Sequence, residues 1–85
     1  MRNRVRAQRI AELLSAPWER DTAVREEAAH LCHTVAGSAA TFGEPGLADA
    51  CLLLETALRE GRDHDVMPAL DVLRSRASGD RSPEA

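Results

Sequence analysis

The run His33-Thr34-Val35-Ala36-Gly37-Ser38-Ala39-Ala40-Thr41-Phe42-Gly43 decides how this chain is read. Advanced by about 100° per residue as an α-helix, the segment puts Val24, Ala28, Leu31, Val35, Ser38, Ala39 and Phe42 on one side and His33 almost diametrically opposite. The imidazole is therefore expected to face water. Around it on that outer face stand Ala29, Ala36, Gly37 and Ala40, where a solvated helix would carry Glu, Lys or Arg. Gly37, one turn after the histidine, costs a helix interior roughly 0.5–1 kcal/mol relative to Ala, so its presence asks for a reason. Without a side chain there, another molecule's backbone or a phosphoryl group can come close to the ring.

The flanking sequence reads as three more helices. Residues 4–16 place Ala7, Ile10, Ala11 and Leu14 on one face, and Pro17 ends the segment because proline disfavours helical geometry in the residue before it. Trp18 is expected to cover the end of the core at that corner. Asp21 or Thr22 caps the second helix, which runs to about Phe42 and stops at Gly43. A third helix over about 45–60 carries Leu47, Ala50, Cys51, Leu54, Ala57 and Leu58 on one stripe and ends at Gly61. Leu52 and Leu53 fall outside that stripe, a width that suits either a helix wedged between two neighbours or an exposed patch for docking or dimerisation. A fourth helix begins near Asp63 or Asp65, takes Pro68 in its first turn and buries Val66, Ala69, Leu70 and Leu73. From Ser78 the composition turns to Gly, Asp, Ser, Pro and Glu, which reads as a disordered tail over 78–85 after one domain over 1–77. The expected fold is all-α, an antiparallel four-helix bundle with an exposed His on its second helix.

Composition narrows the function classes. A chain of 85 residues has room for one domain with a small core, which excludes a second catalytic domain. With one Trp, one Phe and no Tyr, that core must be aliphatic. All eleven basic residues are Arg. Arg2, Arg4, Arg6 and Arg9 leave the rest of the chain strongly acidic, so the body of the domain is not expected to bind nucleic acid. The basic start reads as a solvated helix face or a frayed end. No secretory signal and no stretch long enough for a bilayer is present, so a cytoplasmic protein with reduced thiols and no membrane contact is expected. Cys32 and Cys51 then read as small buried hydrophobes. A zinc site from His30, Cys32, His33 and Cys51 is not expected, because Cys32 points roughly 100° away from His33 on the same helix. No phosphate-cradling Gly-rich loop precedes a helix, so no ATP site is expected and the chain cannot charge itself.

The pattern His33-x-x-x-Gly37-Ser38-Ala39-x-x-Phe42-Gly43, followed by Leu47, Ala50, Leu54, Glu55 and Leu58, resembles the histidine-containing phosphotransfer (HPt) domain of bacterial two-component phosphorelays. The likeness is strong over residues 28–61 and weak elsewhere. It implies a phosphorelay intermediate that takes a phosphoryl group on His33 and passes it between receiver-domain aspartates, a phosphocarrier without kinase activity of its own. It also implies partners: a response-regulator receiver domain, which brings the Mg²⁺, and a sensor or hybrid histidine kinase. No cofactor is expected on this chain, and a free-standing monomer is expected rather than a dimer. The chain departs from the family at Ala36, where Lys or Arg is usual and lies beside the phosphoryl group.

On this reading His33 is the phosphoryl acceptor, since a neutral imidazole is nucleophilic and its ordinary pKa near 6.5 leaves a large neutral fraction at pH 7. Gly37 clears space beside it. Ser38 leans inward, where its hydroxyl bonds a backbone carbonyl or orients a neighbour. Ala29, His30, Ala36 and Ala40 form the rim of the docking surface. Two alternatives stay open: a degenerate bundle of the same kind that docks a receiver or other signalling partner without being phosphorylated, and a structural dimer built on Leu52 and Leu53.

Overall fold

The computed structural model describes residues 2–78, with four helices, α1 (Arg2–Leu13), α2 (Thr22–Thr41), α3 (Pro45–Glu60) and α4 (Asp63–Ser78). Most of their ends follow local chemistry. The Asp21 carboxylate accepts the Val24 N–H at 3.2 Å and so caps α2. Gly43, at φ 73°, adopts the left-handed conformation that lets the chain leave that helix. Pro45 opens α3, where its missing N–H has no helical partner to lose, and Gly61, also at φ 73°, closes it.

Two boundaries differ from the sequence reading. The first helix stops at Leu13 instead of 16, because Ser15 Oγ donates to the Glu12 carbonyl at 2.7 Å and the Ser15 N–H reaches the same oxygen at 3.2 Å. That bond tightens the last turn before Pro17 can act. The fourth helix begins at Asp63, so Pro68 lies in its second turn, not its first, and withholds one hydrogen bond inside the helix. Ser78 is the last residue of α4; the rest of the expected tail lies outside the described residues.

Contacts run from α1 to α2, α2 to α3, α3 to α4 and α4 back to α1, closing a four-helix bundle. The end of α3 lies against the start of α2, where Arg59 Nη1 stands 3.7 Å from Glu26 Oε1, as antiparallel packing requires. Ile10, Leu14, Val35, Leu54, Val66 and Leu73 fill the middle, and each such side chain contributes about 1.5–3 kcal/mol by leaving water. Trp18 is buried at one end, as expected. On α3, burial against both neighbours accounts for most of its wide apolar arc, yet Leu52 and Leu53 stay exposed.

The buried side of α2 is rotated from the one its sequence projection gave. Ala29 and Ala36, expected on the open face, are only 2% and 6% exposed. Both lie on the flank of α2 that meets α3, beside buried Cys32; small side chains there let the two helices approach closely. They form a helix–helix seam and not the rim of a docking surface. Phe42, expected inside, is 75% exposed, because it is the residue that ends α2 at φ −95° and no longer follows the helical projection.

Candidate functional site

His33 stands in the middle of α2 at the edge of the α2–α3 seam, its side chain 71% exposed. One ring nitrogen is engaged. His33 Nδ1 lies 3.4 Å from Glu55 Oε1 on α3, at the long end of hydrogen-bond range, and Nε2 has no partner among the described residues. Glu55 is the one buried charged residue among the described residues, and a carboxylate in that position needs partners. It has two. Its second oxygen accepts from Arg59 Nε at 2.8 Å, one helical turn along α3. Arg59 also approaches Glu26 of α2 at 3.7 Å, so a chain of ion pairs spans the seam beside the histidine.

The other residues singled out from the sequence fall on two sides of His33. His30, Gly37 and Ala40 are exposed near it, whereas Ala29 and Ala36 are covered by α3. A Cβ added at Gly37 would meet nothing within 4 Å, so nothing inside the chain demands glycine there. The Gly37 carbonyl accepts from Thr41 Oγ1 at 3.0 Å. Ser38 does not make the hydroxyl contact expected of it: its side chain has no hydrogen-bond partner among the described residues, and its backbone carbonyl accepts the Phe42 N–H at 3.0 Å. The half-buried position lets the hydroxyl stay partly in water, so no internal bond is forced on it.

Beneath the site lie the free thiols of Cys32 and Cys51, both fully buried. Burial pushes both thiol pKa values up, with help from nearby Glu55, that of Cys51 to about 12. They are protonated and chemically quiet at neutral pH. Among the described residues no group of three or more His, Cys, Asp and Glu side chains converges as a metal site would require. Nor, among them, is any helix long and apolar enough to cross a membrane.

Sequence reasoning placed Glu55 only as part of a family pattern and did not assign Arg59 at all. The available signal was an acid one position after buried Leu54 with a cation four residues on, a spacing that pairs the two on one helix face. What was missing was the register of α3 against α2.

A family model described as the Hpt domain matches residues 2–79. No curated protein and no solved structure shows a significant match to the chain.

Proposed function

Because this chain belongs to the Hpt-domain family, whose members act in phosphotransfer within two-component signalling as carriers and not kinases, we propose that His33 Nε2 is its phosphoryl-carrying atom. Receiver domains and histidine kinases are the partners of that family. The observation that carries the reading is the division of labour on the imidazole: Nδ1 faces a buried carboxylate, while Nε2 has no partner among the described residues on a side chain that is largely exposed.

The chemistry follows from that division. With the ring proton on Nδ1 and directed at Glu55 Oε1, the lone pair of the neutral imidazole is on Nε2. Nε2 attacks the phosphorus of an aspartyl phosphate on a receiver domain. The N–P bond forms, the P–O bond to the aspartate breaks, and the carboxylate leaves with the bonding pair. No proton has to move. The ring gains a positive charge, which the Glu55 carboxylate offsets, and the reverse reaction returns the group to an aspartate. The rigid helix bundle contributes mainly positioning, because phosphoryl transfer is governed by alignment and electrostatics. The resemblance to phosphorelay carriers implies that the Mg²⁺ of the reaction is brought by the receiver.

One observation favours a second reading, a module that docks a receiver without being phosphorylated. Ala36 carries no charge where the resemblance leads one to expect Lys or Arg, and it is buried. Incubation with phosphorylated receiver domains separates the two. Acid-labile, alkali-stable label on the wild type and none on His33→Gln is the expected result. Equal label on both proteins overturns His33 as the carrier; no label on either, with receiver binding intact, establishes the docking module.

A further inference from the structure

We propose that Arg59 supplies the positive charge to the phosphoryl group on His33, in place of a cation at position 36; this rests on the phosphocarrier reading of His33. Three observations converge on it. First, Glu55 gives one carboxylate oxygen to each neighbour, so a single carboxylate bridges the guanidinium at 2.8 Å and the imidazole at 3.4 Å. Second, Arg59 commits only its Nε firmly. Nη1 has a loose 3.7 Å approach to Glu26, Nη2 has no partner among the described residues, and the side chain is 43% exposed. A guanidinium carries five N–H donors, so the outer edge remains available for phosphoryl oxygens while Nε holds Glu55. Third, position 36 is closed. A Lys or Arg there would have to push α3 away or thread out along the seam that covers Ala36 at 6% exposure. The same helix pairing holds Arg59 beside Glu55, on the side of His33 toward Glu26.

A dianionic group on Nε2 competes with Glu26 for the outer edge of Arg59. The guanidinium is always charged and hydrogen-bonds phosphoryl oxygens in a fixed fork. Arg59 is thus assigned to the phosphoryl group itself as well as to Glu55.

The test uses phosphoramidate, a small donor that needs no receiver. Nε2 attacks its phosphorus, the P–N bond breaks, and ammonia leaves with the bonding pair. Loading of His33 and the second ionisation of the bound phosphoryl group are both followed by ³¹P NMR on the full chain. Glu26, His30, Glu55 and the buried thiols of Cys32 and Cys51 are the other titratable groups nearby and stay unchanged in every variant. Arg59→Gln keeps a donor on a shorter stem and removes the charge. It is expected to load about tenfold more slowly and to raise the phosphoryl ionisation midpoint by about one unit, because the cation favours the dianion. Arg59→Lys retains most of both. Arg62→Gln removes an equal charge at the α3–α4 turn and changes neither.

If Arg59→Gln loads at the wild-type rate with the wild-type midpoint, Arg59 does not serve the phosphoryl group. If Arg62→Gln shifts both as much as Arg59→Gln does, the effect is net charge and the assignment also fails. A wild type that takes no label on His33 overturns the phosphocarrier reading itself, a distinct outcome.

Discussion

Arg25 and Arg59 are the same side chain set in opposite circumstances, one at the Trp18 corner and one at the His33 rim. Arg25 is 18% exposed and both its terminal nitrogens are engaged. Nη1 donates to the Glu19 carbonyl at 3.2 Å, Nη2 donates to the Leu58 carbonyl at 2.8 Å and stands 2.9 Å from Asp63 Oδ1, and the guanidinium lies 5.2 Å from the centre of the Trp18 ring. It ties the α1–α2 connection to the end of α3 and the start of α4. Arg59 holds one strong bond, one loose approach and an open edge. The difference separates structure from chemistry without reference to residue type: an arginine whose two terminal nitrogens are both engaged inside the fold belongs to the fold, and one with an open outer edge is available to a ligand.

The largest effect that could break this comparison is the stability loss in Arg25→Ala. The substitution leaves the Leu58 carbonyl and the Asp63 carboxylate without their shared cation, and is expected to cost about 2–4 kcal/mol. For a domain of this size the melting temperature should then fall by roughly 10 °C or more, while His33 loading per folded molecule stays at the wild-type level. A loss below about 1 kcal/mol would mean that the corner web is ornamental. Arg59→Gln, by contrast, should leave the urea denaturation midpoint close to wild type, because a half-exposed ion pair is screened by solvent. Should it cost as much as Arg25→Ala, Arg59 is a strut and the contrast collapses.

Both arginines expose where the sequence stops being legible. The ends of α2 and α3 could be read because Asp21, Gly43, Pro45 and Gly61 act on their own neighbours along the chain. The end of α1 depended on which acceptor the Ser15 hydroxyl chose, a local competition that composition does not decide. Helical projection also put His33 correctly on the outside, since its position is fixed by the spacing of Ala28, Val35 and Ala39. The same projection misplaced Ala29 and Ala36, because it gives the circle of one helix and not the side from which the next one arrives. The pairs His33–Glu55, Arg59–Glu26 and Arg25–Asp63 all cross between helices. Their register emerges only when the helices have packed, so the outward histidine was legible before the groups that surround it.

The smallest expected effect sharpens the same distinction at Gly37, where the fold and the proposed docking partner make opposite demands. A methyl group there enters open space inside a regular helix, so Gly37→Ala should stabilise the domain by about 0.5–1 kcal/mol and raise its melting temperature by a few degrees. Loading from phosphoramidate, a donor small enough to avoid the added methyl, should remain close to wild type. Transfer from a phosphorylated receiver should slow, because the partner's backbone must pass over position 37 to bring its aspartate to His33 Nε2. Equal transfer by both proteins would remove Gly37 from the docking surface and leave its helix cost without an account. A more stable protein that accepts phosphoryl normally from a small donor and poorly from a protein places the requirement for glycine in the partner's approach, where no force within this chain supplies it.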